Sequence, residues 1–183
     1  MPGGAHPTPW PPPGTDLRYW SLCVDLASLP IPVVSNMLPD GSVDYGCRYD
    51  DQVKLDQDGY YTFVVGTEDQ QAAVEDIPGA TFLPLSATNR IQTYKLNLRN
   101  LLANAHFVQG IQNVPSDGRP QSAGAVMGEY YPRMGFCSLA TLAANGPNVC
   151  LSALPSGGER PTSAASDIFS AISGLFRRLL GSV

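Results

Sequence analysis

A chain of 183 residues and 19.5 kDa suffices for one domain with tails, burying roughly two-thirds of its unfolded surface. Its net charge is −5 and its pI near 4.8, and its lysines, Lys54 and Lys95, stand far apart; this excludes a nucleic-acid surface, which needs clustered cations. The 18 glycines and 17 prolines favour turns and extended segments over long helices.

Residues 1–16, MPGGAHPTPWPPPGTD, read as an extended, polyproline-like arm. The arm has neither a basic segment nor an apolar one, so it does not carry the pattern of a signal peptide. LRYWSLCVDL (17–26) is aromatic and partly alternating, which predicts a strand. PVVSNML and SVDYGCR flank Pro39, Asp40 and Gly41 and predict a hairpin. DQVKL and YYTFVVG around DQDG predict a second one. TEDQQAAVEDI (67–77) reads as a short helix capped by Thr67, with acidic residues where the helix dipole favours them. GATFLPL and IQTYKLNLRN predict two more strands.

After Asn100 the pattern turns helical. NAHFVQGIQNV, QSAGAVMGEYY and CSLATLAANG predict short helices, the last capped by Ser138 and closed by Gly146. Residues 154–166 have the composition of a linker, and 167–183 predict an amphipathic helix. Ile168, Phe169, Ile172, Leu175, Phe176 and Leu179 supply its apolar residues, and Arg177 and Arg178 a local positive charge. Such a helix suits a groove on another protein subunit or peripheral contact with an anionic membrane. No apolar run reaches the roughly 20 residues needed to span a membrane.

The stretch CRYDDQVKLDQDGYYTFVV gathers Asp50, Asp51, Asp56 and Asp58. With Gly59 at the centre of a calcium loop, Asp56 and Asp58 fall on ligand positions, but Lys54 and Val65 occupy its first and last, so the template fails. Asp beside a turn glycine is expected for its own backbone bonding, and Asp50 and Asp51 read as exposed partners of Arg48. His106 has no G-x-S-x-G nucleophile to serve and reads as a surface or packing residue. GEYYPR is the best remaining polar–aromatic cluster, and a ligand pocket is expected around Arg48, Glu129, Tyr130 and Arg133 if one exists. No catalytic residue, cofactor site or metal site is assigned.

Cys23, Cys47, Cys137 and Cys150 form no C-x-x-C pair and find no histidines at zinc spacing. Their even number suggests two disulfides and an oxidising compartment; four reduced, buried thiols are the alternative. If Cys23 pairs with Cys47 and Cys137 with Cys150, each loop is short, with about 3 kcal/mol of stabilisation per bridge.

Taken in order, RYWSLC, CRYDDQV, DGYYTFVVGTE, FLPL, LRNLL, GIQNV and AVMGEYYPR with the later ANGPNVC resemble an uncharacterised family of exported bacterial proteins. The resemblance runs from about Arg18 to Cys150. More distantly, the order of aromatic strand, Asp-Gly hairpin, FLP and LNLRN is similar to domain of unknown function 1214, a β-sandwich module. The resemblance implies bridged cysteines and an extracytoplasmic location, and it carries no reaction. Members of that family have a signal peptide and earlier strands where this chain has its arm, so those strands are expected from a longer chain or from another one. The tail beyond Ser166 lies outside the pattern.

The combined expectation is a mainly β domain over 17–153, an antiparallel sandwich with short helices in its C-terminal third and an amphipathic C-terminal helix. Its expected role is a non-catalytic extracytoplasmic structural or accessory subunit, held to other protein subunits by its arm, edge strands and tail. The rival reading is an enzyme or small-ligand binder centred on Glu129 and Tyr130.

Overall fold

The computed structural model describes residues 16–88, 93–101, 103–152 and 169–174. The fold is mainly β, as expected, with short helices. Strand β1 (Tyr19–Leu26) lies between β4 (Cys47–Tyr49) and β7 (Tyr94–Leu101), antiparallel to both. Its alternation sorts the side chains. Trp20, Leu22 and Val24 enter the main core, while Ser21, Cys23 and Asp25 take the opposite face and are also buried.

The first expected hairpin forms. Strands β2 (Ser35–Met37) and β3 (Val43–Tyr45) pair antiparallel. Gly41 turns between them at φ 84°, and the Asp40 carboxylate accepts from the Ser42 amide and hydroxyl. Those two donors hold the Asp40 carboxyl below its usual range. Past β3, Gly46 donates to Val34 O at 2.7 Å and accepts from Val24 N at 2.6 Å. A Cβ there would lie 2.9 Å from Val34 Cβ, so glycine is what lets three chain segments meet.

The second expected hairpin does not form. Asp50–Gln52 makes one 3₁₀ turn, and Lys54 N donates to the Thr81 side-chain hydroxyl rather than to the backbone of residues 61–66. The reason is that both sides of the following strand are occupied. Strand β5 (Tyr61–Gly66) pairs with β6 (Ala80–Pro84) and with β9 (Phe169–Gly174). The pairing with β6 is parallel, a correction to the all-antiparallel expectation. Helix α1 (Gln71–Glu75) lies in the connection between them, which is long enough to cross over. All six residues of β5 are buried, with Tyr61, Phe63 and Val65 facing the main core. Val64 faces a second core with Val74 of α1 and Phe82 of β6.

The C-terminal third is less helical than expected. Of residues 104–114 only Ile111–Asn113 form a 3₁₀ turn, because Gly110 ahead of them is extended. Helix α2 (Pro120–Met127) forms and stops at Gly128, whose φ is 56°. Strand β8 (Arg133–Cys137) follows, then α3 (Leu139–Asn145) and α4 (Pro147–Ser152). Ser138 caps α3 by accepting from Thr141 N at 3.1 Å, and Gly146 closes it, as the sequence predicts.

The expected helix over 167–183 is corrected in part. Phe169–Gly174 form β9, antiparallel to β5 and to β8, so the sheet runs β6-β5-β9-β8. Phe-Ser-Ala-Ile-Ser-Gly is the part of that stretch richest in serine and glycine, which are weak helix formers. A strand there also satisfies backbone groups of both neighbours, which a helix could not. Ile168, Leu175, Phe176, Arg177, Arg178 and Leu179 lie outside the described residues, as do the arm through Thr15 and the linker 154–166.

Candidate functional site

The aspartates of the 47–65 stretch are turn residues. Asp56 accepts from the amides of Asp58 at 3.0 Å and Tyr60 at 2.8 Å, while Gly59 takes φ 84° between them. Arg48 binds neither Asp50 nor Asp51. Its guanidinium pairs with Asp44 at 3.1 Å and donates to the carbonyls of Tyr45 and Cys47. Asp50 accepts from the Asp51 amide, and partial burial holds its carboxyl above the usual range.

Both cysteine pairs are bridged. Cys23 and Cys47 are direct register partners on β1 and β4, with Cα atoms 4.1 Å apart. Register places them at a non-hydrogen-bonded position, where antiparallel strands approach most closely. Cys137 at the end of β8 is bridged to Cys150 of α4, with Cα atoms 5.2 Å apart. That second bridge lies in the smaller core beside Leu142.

The expected pocket residues separate. Glu129 and Arg133 line an open depression of about 400 Å³ together with Gly124, Gly128 and Tyr131. Tyr130 turns the other way, into the main core, where its ring meets Phe107 edge-on with centroids 5.2 Å apart. Arg48 does not line the depression. Adjacent tyrosines flanking the end of a 3₁₀ turn diverge, and the sequence gives no sign of which one goes inward. His106 is largely exposed, with Nε2 3.4 Å from Asp16.

The sequence reading missed two polar groups on the β1–β7 pair. Asp25 is 1% exposed; Asn97 donates to one carboxylate oxygen, and the other has no partner among the described residues. The amide of Asn100, opposite Trp20, is buried with neither atom hydrogen-bonded among the described residues. A charged residue between Val24 and Leu26 in an apolar run was the available signal for Asp25.

Among the described residues no group of three or more His, Cys, Asp and Glu side chains is placed to hold a metal, and no helix is long and apolar enough to cross a membrane. No protein-family model matches the chain, and comparison with curated proteins and with solved structures gives no match.

Proposed function

We propose that the chain is a non-catalytic, extracytoplasmic accessory subunit that joins other protein subunits through an exposed strand edge. The observation that carries the reading is β7, eight residues long, which pairs with β1 on one side and with nothing on the other among the described residues. Edges of that length are ordinarily shortened, bulged or covered, because they recruit further strands. The two disulfides support the compartment, since such bridges persist outside reducing cytosol. The resemblance to exported bacterial proteins agrees with it. We also read the packing of the β4-β1-β7 sheet against β5 and β6, through Trp20, Leu22, Tyr61, Phe63 and Leu83, as a β-sandwich.

Fractionation of the producing cells followed by native electrophoresis tests the reading. The expected result is a tagged chain outside the cytoplasm, migrating with other subunits well above 19.5 kDa. A cytosolic chain migrating alone contradicts it.

The depression beside Glu129 supports a second reading, a small-ligand site, because Glu129, Tyr131 and Arg133 line a volume suited to a small molecule. Glu129→Gln should then weaken ligand binding by about tenfold without changing the unfolding midpoint. A ligand that binds the variant equally well removes this reading.

A further inference from the structure

The two faces and the outer edge of β7 differ in chemistry. Thr93 O accepts from Ala27 N at 2.9 Å, which fixes the alternation of the β1–β7 ladder. Residues 95, 97, 99 and 101 therefore direct their backbone groups at β1, and Leu96, Leu98 and Asn100 direct theirs outward. Those three have no backbone partner on the outer side among the described residues. On the core-facing side, Leu96 and Leu98 pack against the main core yet stay only half-buried, and the Asn100 amide has no partner among the described residues. Among the described residues no strand lies beyond β7 to cover this side of the sheet.

On the opposite face Lys95 and Arg99 are exposed, with no ionic partner among the described residues, whereas Arg48 on β4 is paired. Four residues of strand separate them by about 13 Å. Lysine on an edge strand also serves as a guard against pairing with any strand, and that role makes a different prediction.

We propose that the outer edge of β7 accepts an extended acidic segment of a partner protein by strand addition. The partner's backbone pairs with Leu96, Leu98 and Asn100; its apolar residues, every second one, cover Leu96 and Leu98; its acidic residues at the alternate positions meet Lys95 and Arg99. The inference rests on the accessory-subunit reading and names the edge and the chemistry of its partner.

Amide exchange followed by NMR on the full chain tests it, with two end-blocked ten-residue peptides as probes. One alternates valine with glutamate, the other valine with lysine. The glutamate peptide should slow exchange at the Leu96, Leu98 and Asn100 amides by about tenfold or more, and the lysine peptide should not. In the K95E/R99E variant the preference should reverse. Unchanged exchange at these amides with both peptides is the outcome expected of guard residues and overturns the proposal; so does equal slowing by both. A chain that travels in an assembly while the glutamate peptide leaves these amides unchanged removes the β7 assignment and keeps the subunit reading. A chain monomeric in its own cells removes the reading and the partner with it.

Discussion

Asn100 puts a buried amide in a layer otherwise built from Trp20, Leu22, Val24, Leu96 and Leu98. An unsatisfied buried amide costs on the order of 1–3 kcal/mol, and leucine is close to it in volume. Asn100→Leu should therefore raise stability by about 1 kcal/mol, read as a higher urea midpoint at constant m-value; a lower midpoint would show that the amide is satisfied in solution. Gly46 makes the opposite case. Gly46→Ala forces a Cβ against Val34 and the Val24 carbonyl and should cost about 2 kcal/mol in the same assay.

Asp117 gives a pH-dependent case at the same scale. It accepts from Ser122 Oγ at 2.6 Å and Arg119 N at 2.9 Å, bracing the start of α2, and these donors hold its carboxyl below the usual range. A carboxyl lowered in the folded state contributes stability above its unfolded pKa and loses it as pH falls through the folded one. Thermal scans should thus find Asp117→Ala less stable than the parent at neutral pH, with the gap closing in acid, as pH falls below the ordinary carboxylate range. A gap that persists undiminished in acid would assign the effect to something other than ionisation.

Elements were legible where their signal was local. Helix α3 needed only Ser138 ahead of it and Gly146 behind, and Ser138→Ala should cost about 1 kcal/mol of unfolding free energy; no change would mean that Thr141 finds another acceptor. The β2–β3 turn was equally local, because Asp40 and Gly41 carry its geometry. Elements whose fate depends on distant neighbours were not legible. DQVKL has a strand-like pattern, but β6 and β9 already flank β5, and that competition involves residues from 80 to 174. Phe169–Gly174 is short and carries weak helix formers, and pairing with β5 on one side and β8 on the other decides for the strand. The parallel sense of β5 and β6 was implicit in strand, helix and strand following one another, although the combined expectation is an antiparallel sandwich. At the candidate site, Glu129 and Arg133 were legible as neighbours in sequence, whereas the inward turn of Tyr130 depends on Phe107.

At the scale of the whole molecule, the disulfides fasten places where sheet packing ends. Cys23–Cys47 ties the three-residue β4 to the centre of its sheet, and Cys137–Cys150 ties α4 to the edge strand β8. Chain-entropy reasoning for separations of 24 and 13 residues gives about 3 kcal/mol for each. The paired variants C23S/C47S and C137S/C150S should each lose about that much in denaturant titration. A loss under about 1 kcal/mol would mean that the strands and helices hold those ends unaided.

The proposed role rests on an oxidised, mainly β domain whose long β7 edge has no partner among the described residues. Its most direct test is the native mass of the chain isolated from the cells that make it, under non-reducing conditions and with thiol alkylation. The expected result is an assembly heavier than the 19.5 kDa chain, with all four cysteines unreactive until reduced. A 19.5 kDa monomer carrying four alkylated thiols would contradict both the compartment and the role.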